Sequence, residues 1–521
     1  MWKKISARPA VLGLLSGLAC VLAFAPIEIT SVLVFCPLLL ILSIEHCRSW
    51  KQAFAAGFLA SAVIMLGGFY WVVYTIHIFG SLPWSISTLL YLMFAGLGAL
   101  NFPLFTASLY GLHRRRPSLR KNVGWYAVGI PALFTVFEFA IPKLFPWYVG
   151  HTYYRAAWLT QVVEFTGCTF LTFLIFSWGG VGAAALRQLP HNLVKRWAAV
   201  PLVLTLVSVA FSAWRLSTPF PTAQTKRVAL IQANIGSLDK VQARSGFHEK
   251  VQYTIGRYLE LTAKVLPEKP SLILWPETAM PFGLEKDEHY SALVRREISG
   301  WNVPLITGGY SPSERPYVEY NAAFLLEPQK AGFLKTTIYR KNILLAFGEY
   351  FPGGTWFPKL YQWFPAVSHF ERGKDQQIFT LEDGTRLGTT ICYEAIVPSF
   401  YRKVTRQGVQ AVINLTNDSW FGPTSEPRQH AALATFRAIE TRTPLIRVTN
   451  TGTSFAVDRL GKMSETTPVY DEAAVTVDVA IPPQAVITLY TKWGDWFIGV
   501  LMVLVVLFVR GAPNVPVPVR K

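Results

Sequence analysis

Charge is what this sequence has least of. Only 15% of its 521 residues are Asp, Glu, Lys or Arg, against roughly 25% in a soluble globular chain. Acidic residues are the scarcer sign, 31 to 49 basic ones, which leaves a formal net charge of +18. With a hydrophobic fraction of 51% and a mean hydropathy of +0.31, the deficit excludes an ordinary soluble protein and predicts a polytopic membrane protein with a polar portion. Cysteine is sparse too, five in all: Cys20, Cys36, Cys47 and Cys168 lie in or beside apolar stretches, and Cys392 stands alone in the polar portion. A lone cysteine excludes a disulfide framework there. There is no glycine-rich phosphate loop and no His-Glu-x-x-His pattern, so neither metal nor cofactor is expected. Internal repeats and long low-complexity tracts are also missing.

What is plentiful is long apolar sequence. Seven stretches crowd the first 216 residues, at 11–24, 29–44, 53–76, 86–112, 124–141, 158–186 and 198–214, and an eighth lies at 493–509. At about 20 residues per crossing they predict about eight transmembrane helices, the first two joined through Pro26 and short enough to form one hairpin. Basic residues then set the orientation. Lys3, Lys4 and Arg8, the Arg48/Lys51 loop, the Arg114, Arg115, Arg116, Arg120 and Lys121 loop, the Arg187, Lys195 and Arg196 loop, and Arg510, Arg520 and Lys521 fall on one side. Only Lys143 and Arg155 occupy the opposite short loops. This is a positive-inside pattern, and it accounts for most of the excess charge without nucleic acid. The first stretch also has the look of a cleaved signal peptide, but the alternation of charge holds only if it is retained. Both termini are therefore expected in the cytoplasm, and the polar region, 218–490, outside it. Glu138 and Glu164 sit among apolar residues, where bonding between helices is the plainer expectation than function.

Within the polar region, short β-rich runs alternate with helical patterns. Strands are predicted at 227–232, 272–275, 304–310, 320–326, 333–339, 386–391, 411–415, 445–449, 454–457 and 474–479, and helices at 247–265, 288–298, 398–406 and 430–441. That alternation reads as a layered α/β domain. An insertion at 350–370 carries Phe351, Trp356, Phe357, Tyr361, Trp363, Phe364 and Phe370. It is either a local aromatic cluster or an arm at the membrane interface, where such rings settle.

Three segments end predicted strands with reactive side chains: Leu272-Ile-Leu-Trp-Pro-Glu277-Thr-Ala, Tyr339-Arg-Lys341-Asn-Ile-Leu-Leu-Ala-Phe-Gly-Glu349-Tyr, and Gly388-Thr-Thr-Ile-Cys392-Tyr-Glu394. A carboxylate beside apolar Trp275 and Pro276 is suited to act as a base, although a cap or surface group would look the same. Lys341 and Glu349 would equally suit an ion-paired loop, and Cys392 a buried core thiol. Together, in this order over 226–479 and with Asn414-Leu-Thr-Asn-Asp-Ser-Trp-Phe-Gly422 downstream, they resemble the nitrilase superfamily. The resemblance implies an α-β-β-α sandwich and a triad of Glu277, Lys341 and Cys392.

With seven apolar stretches before this region and one after it, nearly the whole chain resembles the apolipoprotein N-acyltransferases. Trp-Pro-Glu-Thr-Ala, Phe-Gly-Glu-Tyr and Thr449-Asn-Thr-Gly452 carry that likeness. It implies a membrane domain over 1–217, a periplasmic catalytic domain over 218–490, and a final helix with a cytoplasmic tail over 491–521, in a bacterial inner membrane. It further implies that Cys392 takes an acyl chain from a membrane phospholipid as a thioester and passes it to the α-amino group of an apolipoprotein's diacylglyceryl-cysteine. Glu277 would be the base. Lys341, with backbone N–H groups near Tyr393, would hold the oxyanion. Glu349 would support the triad, Tyr393 and Glu394 would shape the nucleophile's loop, and Asn321, Trp420 and Phe421 would line the pocket. One departure stands out: the family places a tryptophan in the loop after Gln232-Ala-Asn-Ile, and residues 236–241 here have none. The rival expectations are a membrane-tethered amidase using the same triad with water as acceptor, and an inactive transporter or scaffold.

Overall fold

The computed structural model describes residues 8–236, 248–315, 318–329, 334–364 and 367–513; the tryptophan-free segment noted above lies almost wholly outside them. Two compact units are present. One comprises the chain up to Val73, Ser85–Thr218 and the residues from Trp493 onward; the other comprises Tyr74–Trp84 and Pro219–Lys492.

The first unit is helical. Among the described residues, four helices are long and apolar enough to cross a membrane: Trp50–Gly68, Trp84–Arg115, Thr169–Leu186 and His191–Ser217. Shorter apolar helices cover Pro9–Ala23, Thr30–Glu45, Trp125–Ala140 and Trp496–Gly511. Pro9–Ala23 lies close against Trp50–Gly68 because Gly13 and Gly17 face the backbone of Ala56 and Ala60; a Cβ on Gly13 would stand 2.3 Å from the Ala56 carbonyl oxygen. Small residues four apart are how helices approach this closely in lipid. Glu138 accepts the Val149 N–H at 2.7 Å and Glu164 pairs with Arg215 at 3.1 Å, so both carboxylates bond within the helical unit.

Two predicted stretches are corrected. Residues 53–76 are not one helix: Trp50–Gly68 ends at Phe69, and a separate helix, Trp71–Gly80, carries the chain into the second unit. Residues 158–186 break into two short turns before Thr169–Leu186, with Gly167 in the left-handed region at φ 72°. Hydropathy stays high across both breaks, so composition does not reveal them.

The second unit contains two sheets. The first has six strands in the order β11-β1-β2-β3-β4-β5: β1 Gln224–Gln232, β2 Leu272–Leu274, β3 Leu305–Pro312, β4 Glu319–Pro328, β5 Leu334–Arg340 and β11 Ala473–Ile481. The second has five in the order β10-β9-β8-β7-β6: β6 Phe379–Thr380, β7 Arg386–Ile391, β8 Ala411–Thr416, β9 Leu445–Thr449 and β10 Phe455–Val457. The sheets meet where β1 approaches β9 and β4 approaches β7. Helices His248–Val265 and Glu288–Trp301 cover the first sheet, presenting Val251, Ile255, Tyr258, Leu261, Val294 and Ile298 to Ile231, Ile273 and Phe324. Helices Pro398–Thr405 and Glu426–Thr441 cover the second. The result is an α-β-β-α sandwich. β8 and β9 are buried at every position, as expected of strands covered on both faces.

Candidate active site

Buried apolar strands bring the three reactive segments to one place, since α/β sites open beyond the carboxyl ends of strands. β2 runs out into Trp275, whose buried indole N–H donates to Thr262 Oγ1 at 3.0 Å and fixes the turn before Glu277. Neighbouring β3 offers Gly308 there, where a Cβ would come within 2.6 Å of the Glu277 Cα. The missing side chain lets the Glu277 backbone settle onto the sheet.

Glu277 is 5% exposed and fully engaged. Its Oε1 accepts from Asn321 Nδ2 at 2.7 Å and from Lys341 Nζ at 3.3 Å; its Oε2 accepts the Asn417 N–H at 2.9 Å. Lys341 follows β5 directly, is 1% exposed, and also donates to Glu349 Oε1 at 2.7 Å. Asn321 on β4 bridges the two carboxylates, reaching Glu349 Oε1 at 2.9 Å, and Glu349 Oε2 accepts the Leu345 N–H at 2.8 Å. Cys392 is the first residue after β7 and opens the turn Cys392–Ile396 with φ at 50°. A β-carbon in the left-handed region is strained, and such strain gathers at functional positions.

Burial and charge set the protonation states. Burial raises the Glu277 pKa, and Glu349 adds to the rise while Lys341 opposes it. For Lys341, burial works against the charge, but Glu277 and Glu349 outweigh it and the ammonium is held. Burial, with Glu277 adding, pushes the Cys392 thiol well above its usual range against the pull of Lys341. The resting sulfur is therefore a thiol that needs a base, and the raised carboxylate beside it suits that task.

Glu277, Lys341, Cys392, Glu349, Asn321, Trp420 and Phe421 all line one cavity, which with its mouth holds about 780 Å³ of empty space. Tyr393 and Glu394 do not line it. Glu394 lies beneath: its Oε1 accepts the N–H groups of Asn342 (2.6 Å) and Ile343 (2.9 Å), its Oε2 accepts that of Ile391 (2.8 Å), and the Tyr339 hydroxyl reaches both oxygens at 2.8 Å. Burial raises its pKa to about 7. One side chain thus joins the loop after Lys341 to the strand before Cys392. Tyr393 is partly buried at the next position.

Other residues were not foreseen. Phe79, in the cavity wall, lies 4.4 Å from the Trp420 ring between centroids. Behind Cys392 runs a buried polar chain: Asn414 Nδ2 donates to the Cys392 carbonyl (3.3 Å), Arg447 donates to Asn414 Oδ1 (2.7 Å) and to Asp418 Oδ2 (2.8 Å), and His430 Nδ1 meets Asp418 Oδ1 (3.0 Å). The only cue in the sequence was the polar Asn414–Gly422 segment, which gives no hint of Arg447. Cys392, Asp418 and His430 place ligand-type atoms within 4.8 Å of one another. Asp418 is already committed to Arg447, however, and that guanidinium would repel a metal ion.

The chain matches the family Carbon-nitrogen hydrolase over residues 227–487 and the family Apolipoprotein N-acyltransferase N-terminal domain over residues 16–181. It is 34% identical to the apolipoprotein N-acyltransferase of Bdellovibrio bacteriovorus, covering 92% of this chain and 90% of that protein. It is 31% identical to the apolipoprotein N-acyltransferase of Geobacter metallireducens, covering 95% and 93% respectively. Among solved structures, an amidase from Nesterenkonia sp. aligns with 49% of this chain and 91% of its own, at 20% identity and a TM-score of 0.37.

Proposed function

The chain belongs to the apolipoprotein N-acyltransferase family, and on that premise we propose that its acyl transfer runs through Cys392, with Glu277 as base and Lys341 as oxyanion partner. The convergence of these three buried groups on one cavity carries the reading. The acyl donor is a membrane phospholipid and the acceptor is the α-amino group of an apolipoprotein's diacylglyceryl-cysteine.

In the first half-reaction Glu277 takes the proton from Cys392 Sγ, and the thiolate attacks the ester carbonyl carbon of the phospholipid. A C–S bond forms, and the oxyanion develops beside Lys341 and the backbone N–H groups near Tyr393. Collapse breaks the ester C–O bond, Glu277 returns its proton to the departing lysophospholipid oxygen, and a thioester remains. In the second, the neutral amine attacks the thioester carbon and Glu277 accepts a proton from its nitrogen. The C–S bond then breaks and that proton returns to sulfur. Glu349 and Asn321 hold Lys341 and Glu277 in register throughout.

Two observations favour a lipid donor over a small amide. Phe79, Trp420 and Phe421 wall the cavity, and the 350–370 insertion exposes Trp356 at 81%, Phe357 at 68% and Trp363 at 68%. Rings presented this openly suit a bilayer interface. The reading places the protein in a bacterial inner membrane with the catalytic unit on the periplasmic side.

Purified protein incubated with radiolabelled phospholipid should acquire a hydroxylamine-labile acyl group that is absent from Cys392→Ala. No such adduct from phospholipid, together with hydrolysis of a small amide, would favour the amidase chemistry instead.

A further inference from the structure

A second cleft, in the helical unit, has a composition unlike the catalytic cavity. With its open mouth it holds about 520 Å³ of empty space, and three arginines line it: Arg48, Arg114 and Arg120. Arg48 follows the helix Phe35–Glu45, Arg114 is in the last turn of Asn101–Arg115, and Arg120 is in the turn Pro117–Lys121. Two helix carboxyl ends meet here, and their carbonyls favour cations. Any affinity for an anion must therefore come from the guanidinium groups.

The charges around the cleft do not balance. Glu45 contacts two of the lining residues and is saturated: it pairs with Arg120 at 2.7 Å and Arg187 at 3.3 Å and meets His113 Nδ1 at 3.2 Å and the Tyr126 hydroxyl. His113 contributes no charge, because its Nε2 accepts the Trp125 indole N–H at 2.9 Å while Nδ1–H faces Glu45. Arg120 and Arg187 meet that carboxylate, and Arg48 and Arg114 line the cleft in addition. Arg48 and Arg114 have exposed side chains and make no ion pair among the described residues. The backbone under Arg48 is nevertheless fixed, its carbonyl accepting the Tyr110 hydroxyl at 2.8 Å and its N–H donating to Gln52 at 2.8 Å. This is a shaped, electropositive recess rather than a loose basic tail.

We propose that this cleft binds the phosphate of an anionic phospholipid headgroup, at a site separate from the one that holds Cys392. Planar guanidinium forks match phosphate oxygens in geometry and charge, and basic pockets between membrane helices on the cytoplasmic side are suited to acidic headgroups. A lipid source is favoured over free phosphate because the recess sits at the start of a membrane-length helix. Trp50, the first residue of Trp50–Gly68, is 58% exposed beside Arg48, and an exposed tryptophan flanked by basic residues is the mark of headgroup level.

The test uses the full-length protein in neutral detergent, titrated with di-ether phosphatidylglycerol, which has no ester to transfer. Di-ether phosphatidylcholine and inorganic phosphate are the comparators, and bound lipid is counted by native mass spectrometry. Phosphatidylglycerol should be retained in preference to phosphatidylcholine. The double variant Arg48→Gln/Arg114→Gln should bind it roughly 30-fold more weakly, about a factor of five for each guanidinium. A second arm needs no substitution: Cys47 lines the same cleft, so phosphatidylglycerol should slow its alkylation by a maleimide and phosphatidylcholine should not. Equal retention of the two lipids, unchanged affinity in a folded double variant, or protection of Cys47 by inorganic phosphate alone would each overturn the proposal.

Discussion

At the scale of single residues, the candidate site turns on one lysine shared by two carboxylates. Lys341 lies closer to Glu349 than to Glu277, 2.7 Å against 3.3 Å, so the shorter bond goes to the supporting carboxylate. The charge on Glu349 raises the pKa of both Glu277 and Cys392. Removing it should lower the Glu277 pKa, keeping the base ionised to lower pH. We expect Glu349→Gln to move the acid limb of single-turnover acylation downward, measured as acyl-enzyme formation against pH; an upward shift would contradict the assignment. Glu277, Lys341, Glu349 and Cys392 were legible because each closes a short contiguous cue at the end of an apolar run. Arg447 and Asp418 were not, because their pairing joins β9 to the turn after β8 and leaves no local pattern. Phe79 was illegible for the same reason, being far from every other cavity residue in the sequence.

At the scale of elements, strand ends do the aiming, so small backbone displacements should be felt in the chemistry. Gly308 on β3 touches the Glu277 backbone, whereas neighbouring Gly309 would place a Cβ no closer than 3.2 Å, against the Phe324 ring. Gly308→Ala must push against backbone, and a displacement near 1 Å can cost about 10²-fold in rate. We expect a loss of that order in acylation for Gly308→Ala and a much smaller one for Gly309→Ala, with both proteins still folded by circular dichroism. The strands were read well from sequence, β7 and β9 to the residue, because buried runs end sharply at polar or glycine-rich turns. The two-residue β6 and the short helices Lys359–Trp363 and Leu489–Trp493 escaped; none is long enough to show a period. The helical stretches were read less well. Hydropathy counts apolar residues, and the breaks at Phe69 and Gly167 are failures of hydrogen-bond continuity within equally apolar sequence.

For the whole molecule, the aromatic insertion is packed inside and open outside. Tyr361 stacks on His369 at 4.2 Å and Phe351 on Phe364 at 5.4 Å between centroids, while Trp356 and Trp363 face outward. If those two rings engage the bilayer, Trp356→Ser/Trp363→Ser should raise KM for a vesicle-borne phospholipid and leave the rate with a soluble short-chain thioester donor unchanged. Equal losses with both donors would assign the insertion to the chemistry instead. The thread of the backbone has a consequence of its own. Phe79 belongs to the second unit although most of the helical unit is encoded after it. It therefore leaves the ribosome long before Cys392 and must wait, already flanked by helices on both sides, for the wall it will face. A catalytic fragment beginning at residue 219 would be born without that wall, so cutting and pasting this enzyme at its obvious seam should yield a sandwich with a gap in its cavity.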